Sequence, residues 1–109
     1  VTARLDTRSR LSRLEEARRQ TRRQLDLIDR QIIRRMTALI PKLGPRRAAY
    51  RRGRPPDPVA FLERYRAQMA ALTAERQPEI DALSQRLLRQ DRLIAALRQR
   101  DNHVPALAA

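Results

Sequence analysis

Arg30, Arg34, Arg35, Lys42, Arg46, Arg47, Arg51, Arg52 and Arg54 lie between Asp29 and Asp57, and no acidic residue interrupts these nine cations. The chemistry available to such a run is anion recognition. A guanidinium is a planar, permanently charged fork that donates bidentate hydrogen bonds to phosphate or carboxylate oxygens. Over the whole chain Lys+Arg is 25 against 12 for Asp+Glu, a net charge of +13, and Lys42 is the only lysine. That balance favours an anionic partner, and its concentration in one stretch gives the partner a place to dock. Arg46, Arg47, Arg51, Arg52 and Arg54 are the candidate residues for binding nucleic acid or another polyanion. The plain alternative is a solvated corner whose charge serves solubility.

Other chemistries lack their parts. There are no cysteines, which removes disulfides and thiolate metal ligands. His103 stands alone near the C-terminus with no second ligand nearby, and Ser84 has no base in a recognisable nucleophile pattern. The expectation is therefore a non-enzymatic protein without metal or cofactor. No apolar run approaches the roughly 20 residues that cross a bilayer, and no signal-peptide core is visible. These features read as a soluble, cytoplasmic protein with no membrane partner.

The elements that must position the arginines follow from periodicity. Leu11, Leu14, Leu25, Ile28, Ile32 and Leu39 fall on a and d positions of a seven-residue repeat, interrupted by Arg18, Thr21 and Arg35. This predicts a long helix over about residues 10–40, with Ser12 and Glu15 spelling a capping box at its start. Pro41 and Gly44-Pro45 should end it near Ile40. Glu15 with Arg19 and Asp26 with Arg30 form i,i+4 pairs on its outer face. Residues 41–56 hold both glycines and four of the seven prolines and read as a basic bend. Asp57-Pro58 then announces a new helix, with Asp57 as N-cap.

The next stripe is Leu62, Tyr65, Met69 and Leu72, and it resumes after Pro78 at Ile80, Leu83, Leu87, Ile94 and Leu97. The two phases differ by a four-residue stutter placed at the proline. The expectation is two consecutive helices, about 58–76 and 78–99, or one kinked helix. Residues 1–100 would then form a single all-α antiparallel bundle, followed by a disordered tail over 101–109. Two such helices bury little area per residue, so the bundle should be a homodimer held at Leu25, Ile28 and Ile32.

Three resemblances bear on function. Arg52-Gly53-Arg54-Pro55 resembles the core of an AT-hook, whose glycine and flanking arginines enter a narrow minor groove. Pro56 and Asp57 stand where that motif usually continues with a basic residue. Over about residues 22–97, "RRQLDLIDRQII", "AAYRRGRPPDP" and "LERYR" are similar to the all-helical chorismate mutase family. That resemblance implies an intertwined homodimer in which cationic donors, without cofactor, stabilise the ether oxygen of a pericyclic rearrangement. It assigns site roles to Arg22, Arg51 and Asp57. Leu39, Ala60 and Ala95 fall where the family carries arginine, arginine and glutamine. Lastly, Ala106-Leu107-Ala108-Ala109 resembles the end of the bacterial tag that directs stalled translation products to proteolysis.

The leading expectation is a dimeric helical interaction protein whose basic bend docks on nucleic acid or another polyanion. The alternatives are a divergent chorismate mutase-fold protein, active or inactive, and a structural coiled-coil adaptor.

Overall fold

The computed structural model describes the backbone of residues 2–44 and 57–108, and the side chains of residues 4–44 and 57–102. Arg46, Arg47, Arg51, Arg52 and Arg54 lie outside the described residues. The described chain is all-α and contains two helices, α1 (Thr2–Leu43) and α2 (Pro58–Ala108).

Helix α1 contains no glycine, and its Arg, Leu, Gln and Ala residues are good helix formers. It starts well before the expected boundary, so Ser12 and Glu15 sit in its interior rather than at a cap. Glu15 instead accepts a hydrogen bond from Arg98 Nη2 on α2 at 2.9 Å, and Arg19 pairs with Glu16 rather than Glu15. The helix also absorbs Pro41 and ends at Leu43, not at Ile40. Two contacts explain the extra turn. Leu43 is buried, and its carbonyl, which no helical N–H can satisfy, accepts a hydrogen bond from Arg64 Nε at 2.9 Å. The Pro41 ring faces solvent.

Asp57 caps α2 as the sequence predicts. Its Oδ1 accepts from the Val59 N–H at 3.0 Å and its carbonyl from the Phe61 N–H at 3.2 Å, with Pro58 in the first turn. Asp57→Ala is expected to cost about 0.5–2 kcal/mol of unfolding free energy, measured by urea denaturation, and Asp57→Asn much less.

Of the two expected forms, two helices or one, the structure takes the single helix, and α2 runs through Pro78. Pro78 is exposed, so its ring disturbs no packing, and its missing N–H leaves one carbonyl on the solvent side. The four-residue offset that the sequence places at the proline is present, because the inward positions step from Leu72 to Arg76 to Ile80 across it. Buried or half-buried positions run Phe61, Tyr65, Met69, then Leu72, Arg76, Ile80. Leu62 is 43% exposed, and Phe61 takes the inward place assigned to it. Helix α2 continues to Ala108, past the expected end at residue 99.

The chain divides into two compact units, each an antiparallel pair of helical segments. One unit joins Val1–Asp26 to Glu79–Ala109, and the other comprises Leu27–Pro78. In the first, the inward positions Leu11, Leu14, Arg18, Thr21 and Leu25 face a stripe of Leu83, Leu87, Gln90, Ile94 and Leu97. Both stripes alternate steps of three and four, the heptad signature. The polar members are accommodated individually. Arg18 reaches out to Asp91, and the buried Thr21 hydroxyl donates to the Ala17 carbonyl at 3.1 Å. Gln90 Oε1 and Asp101 Oδ1 are buried without a hydrogen-bond partner.

In Leu27–Pro78 the spacing lengthens. Ile28, Ile32, Met36, Leu39 and Leu43 line the seam of α1, with two consecutive four-residue steps. The expected d position Arg35 is thereby moved outside, where Nη1 pairs with Glu75 at 3.1 Å, and Met36 becomes the most buried of the described side chains at 1% exposure. A repeat built from such steps lies closer to 3.67 residues per turn than to 3.5. Arg76 Nη1 donates to Gln31 Oε1 at 2.9 Å, fixing the antiparallel register together with the Arg35–Glu75 pair. Exposed ion pairs of this kind contribute only about 0–1 kcal/mol each, so they select register more than they add stability.

Candidate anion-binding site

The whole cationic stretch belongs to the unit Leu27–Pro78. This unit holds twelve of the 25 basic residues and four of the 12 acidic ones. The Arg64–Leu43 hydrogen bond ties the start of α2 to the end of α1. Of the described cations in the run, Arg30, Arg34 and Lys42 are exposed, while Arg35 is engaged by Glu75. Arg66 adds an exposed cation from α2. The surface therefore offers guanidiniums to solvent on both helices that bound the bend.

The residues implied by the mutase resemblance are distributed differently. Arg22 is exposed on the unit containing Val1–Asp26. Asp57 belongs to Leu27–Pro78, where its carboxylate is occupied as a helix cap. Arg51 lies outside the described residues. Ile28 and Ile32, expected at a dimer seam, are 4% and 6% exposed within a single chain, and Leu25 is half-buried there. Among the described residues no group of three or more His, Asp or Glu is placed to hold a metal ion. Likewise, no described helix is long and apolar enough to cross a membrane.

Two grooves mark the unit formed by Val1–Asp26 and Glu79–Ala109, and neither was legible in the sequence. One, of about 470 Å³, is lined by Glu15, Arg18, Asp91, Ile94 and Arg98, among others. Its charges neutralise one another through the Arg18–Asp91 and Arg98–Glu15 pairs. At its edge Arg19 donates to Glu16 Oε2 from Nε and Nη2, at 2.9 and 2.6 Å. That hydrogen bonding, with the Arg19 charge, holds the Glu16 carboxyl below its ordinary range.

The second groove, of about 620 Å³, brings Arg10 and Arg13 of α1 to Arg100 of α2 over an apolar floor. Among the described residues no carboxylate lines it. The register that joins these three arginines depends on α1 beginning before residue 10 and α2 continuing past residue 99. A sequence reading that stopped both helices short had no means of finding it.

No family model matches the chain, and no curated protein or solved structure is similar to it.

Proposed function

We propose that this is a helical interaction protein whose basic hairpin end binds nucleic acid through the phosphate backbone. The observation that supports this reading is the run of nine cations without an acidic residue between Asp29 and Asp57, all within the unit Leu27–Pro78. Phosphate neutralisation by arginines supplies affinity without sequence preference, and a short bend flanked by rigid helices can follow the backbone of either groove. Arg30, Arg34, Lys42 and Arg66 extend the contact along the helices, with Arg46, Arg47, Arg51, Arg52 and Arg54 at its centre.

Pairing of two copies would double the number of basic ends and raise avidity. Because Ile28 and Ile32 are already covered, a second copy would be held by other apolar side chains of this unit. Ile33 is 57%, Ile40 41% and Leu62 43% exposed, large for residues of their type.

The reading predicts equal affinities for A·T-rich and G·C-rich duplexes in parallel fluorescence-anisotropy titrations at low salt. Asp57, committed to capping α2, places a negative charge three residues after Arg54, where a minor-groove arm needs a positive one. A marked A·T preference that vanishes in Arg54→Ala would assign the bend to the AT-hook class instead. Absence of binding to either duplex would leave it a charged corner.

A further inference from the structure

We infer that the groove bounded by Arg10, Arg13 and Arg100 is a binding site for a small amphiphilic anion, a single apolar tail bearing a carboxylate or phosphate head. The site is separate from the basic hairpin end: all its residues belong to the unit formed by Val1–Asp26 and Glu79–Ala109.

The floor calls for an apolar group. Leu14 is half-buried and Leu97 is 9% exposed, while Leu93 lies open at 53% beside them. Ala96 leaves room between them. The rim calls for an anion. All three guanidiniums are exposed, and among the described residues none of them forms an ion pair, whereas Arg18, Arg19, Arg35 and Arg98 all do. A carboxylate or phosphate seated there receives charge-assisted, bidentate hydrogen bonds while its tail covers Leu93.

Size and charge choose among occupants. The volume of about 620 Å³ falls within the range of about 300–1,000 Å³ typical of small-molecule sites. The lining spans Arg10 to Leu14 on α1 and Leu93 to Arg100 on α2, a length of about 6–11 Å along the axes at 1.5 Å per residue. A docked helix, about 10–12 Å across with its side chains, needs a longer and wider trough. A second copy seated on the same groove would oppose three arginines with three more. Nucleic acid offers the phosphate but no tail for the leucines.

The test is calorimetric titration of the full chain with dodecanoate below its micellar concentration, with acetate and dodecyltrimethylammonium as probes of head and tail alone. Dodecanoate is expected to bind saturably at one per chain, and both controls at least about tenfold more weakly, acetate because it leaves Leu93 uncovered and dodecyltrimethylammonium because its cationic head is repelled by the three guanidiniums. Arg13→Gln/Arg100→Gln should weaken dodecanoate about tenfold or more. Leu93→Asp, at an exposed position that leaves the fold intact, should abolish binding. Arg22→Gln/Arg92→Gln, exposed arginines of the same unit outside the groove, should change it by less than about twofold.

Equal weakening by the Arg22/Arg92 control would reduce the effect to nonspecific charge and overturn the assignment. So would the absence of saturable binding. An acidic amphipathic peptide that binds with the same variant sensitivity while dodecanoate does not would give the groove to a protein partner. Groove variants that shift the sedimentation of the ligand-free protein would give it to a second copy.

Discussion

Met36→Ala is expected to lower the unfolding free energy by about 2–5 kcal/mol, the largest effect of any single truncation among the described residues. Met36 is 1% exposed and sits between Ile32 and Leu39 in the seam of Leu27–Pro78. Its removal forfeits the transfer free energy of the side chain and leaves a void that neighbouring rigid Ile side chains fill poorly. The informative comparison is the adjacent residue. Arg35→Ala removes an exposed pair with Glu75 and should cost no more than about 1 kcal/mol. Urea denaturation followed by helical circular dichroism measures both. If the strict heptad phase governed this segment, Arg35 would occupy the seam and the ranking of the two variants would reverse. For a small helical domain whose total stability is about 5–15 kcal/mol, the Met36 loss is a large fraction.

That contrast also explains which parts of the structure were legible in the sequence. Long amphipathic helices, the basic bend and the Asp57 cap follow from local chemistry: apolar spacing, Pro/Gly punctuation, and a carboxylate at the first turn. What local chemistry does not contain is which helix faces which. Arg35 and Met36 are adjacent, and a seven-residue template selects the first because it counts forward from Leu25 and Ile28. Packing selects the second, since burying a guanidinium has no compensating partner and burying a thioether needs none. Leu62 and Phe61 repeat the lesson on α2.

The prolines were overweighted for a related reason. Pro41 and Pro78 each remove one hydrogen bond, a local penalty. Both rings point to solvent, and the seam residues around them, Leu39 and Leu43 or Arg76 and Ile80, retain their inward positions. The Arg10–Arg13–Arg100 groove was not legible at all, because it requires the pairing of the two chain ends. The bend arginines were legible only as charge.

The second large expected effect concerns that charge. Six to ten phosphate contacts correspond to a loss of about 10³–10⁵ in affinity for duplex DNA between 50 and 200 mM salt, because each neutralised phosphate releases condensed counterions. Of the nine cations from Arg30 to Arg54, Arg35 is held by Glu75, so the bend end falls within that range if most of the others engage. Each arginine that contacts one phosphate contributes about 0.9 to the slope of log affinity against log salt. Arg52→Ala/Arg54→Ala should therefore reduce the slope by about 2 and weaken binding most at low salt. Arg86 and Arg89 provide the matched control, since both are exposed arginines of α2 in the other unit, and their removal lowers net charge equally.

The central claim is that the basic hairpin end, and not net charge as such, engages nucleic acid. The most direct measurement is the salt slope for a mixed-sequence duplex, obtained by fluorescence anisotropy at four salt concentrations for the unaltered chain and the two double variants. Docking through the basic stretch gives a steep slope for the unaltered chain, a slope shallower by about 2 for Arg52→Ala/Arg54→Ala, and no change for Arg86→Ala/Arg89→Ala. An equal reduction in both double variants, or a slope that neither alters, would contradict it.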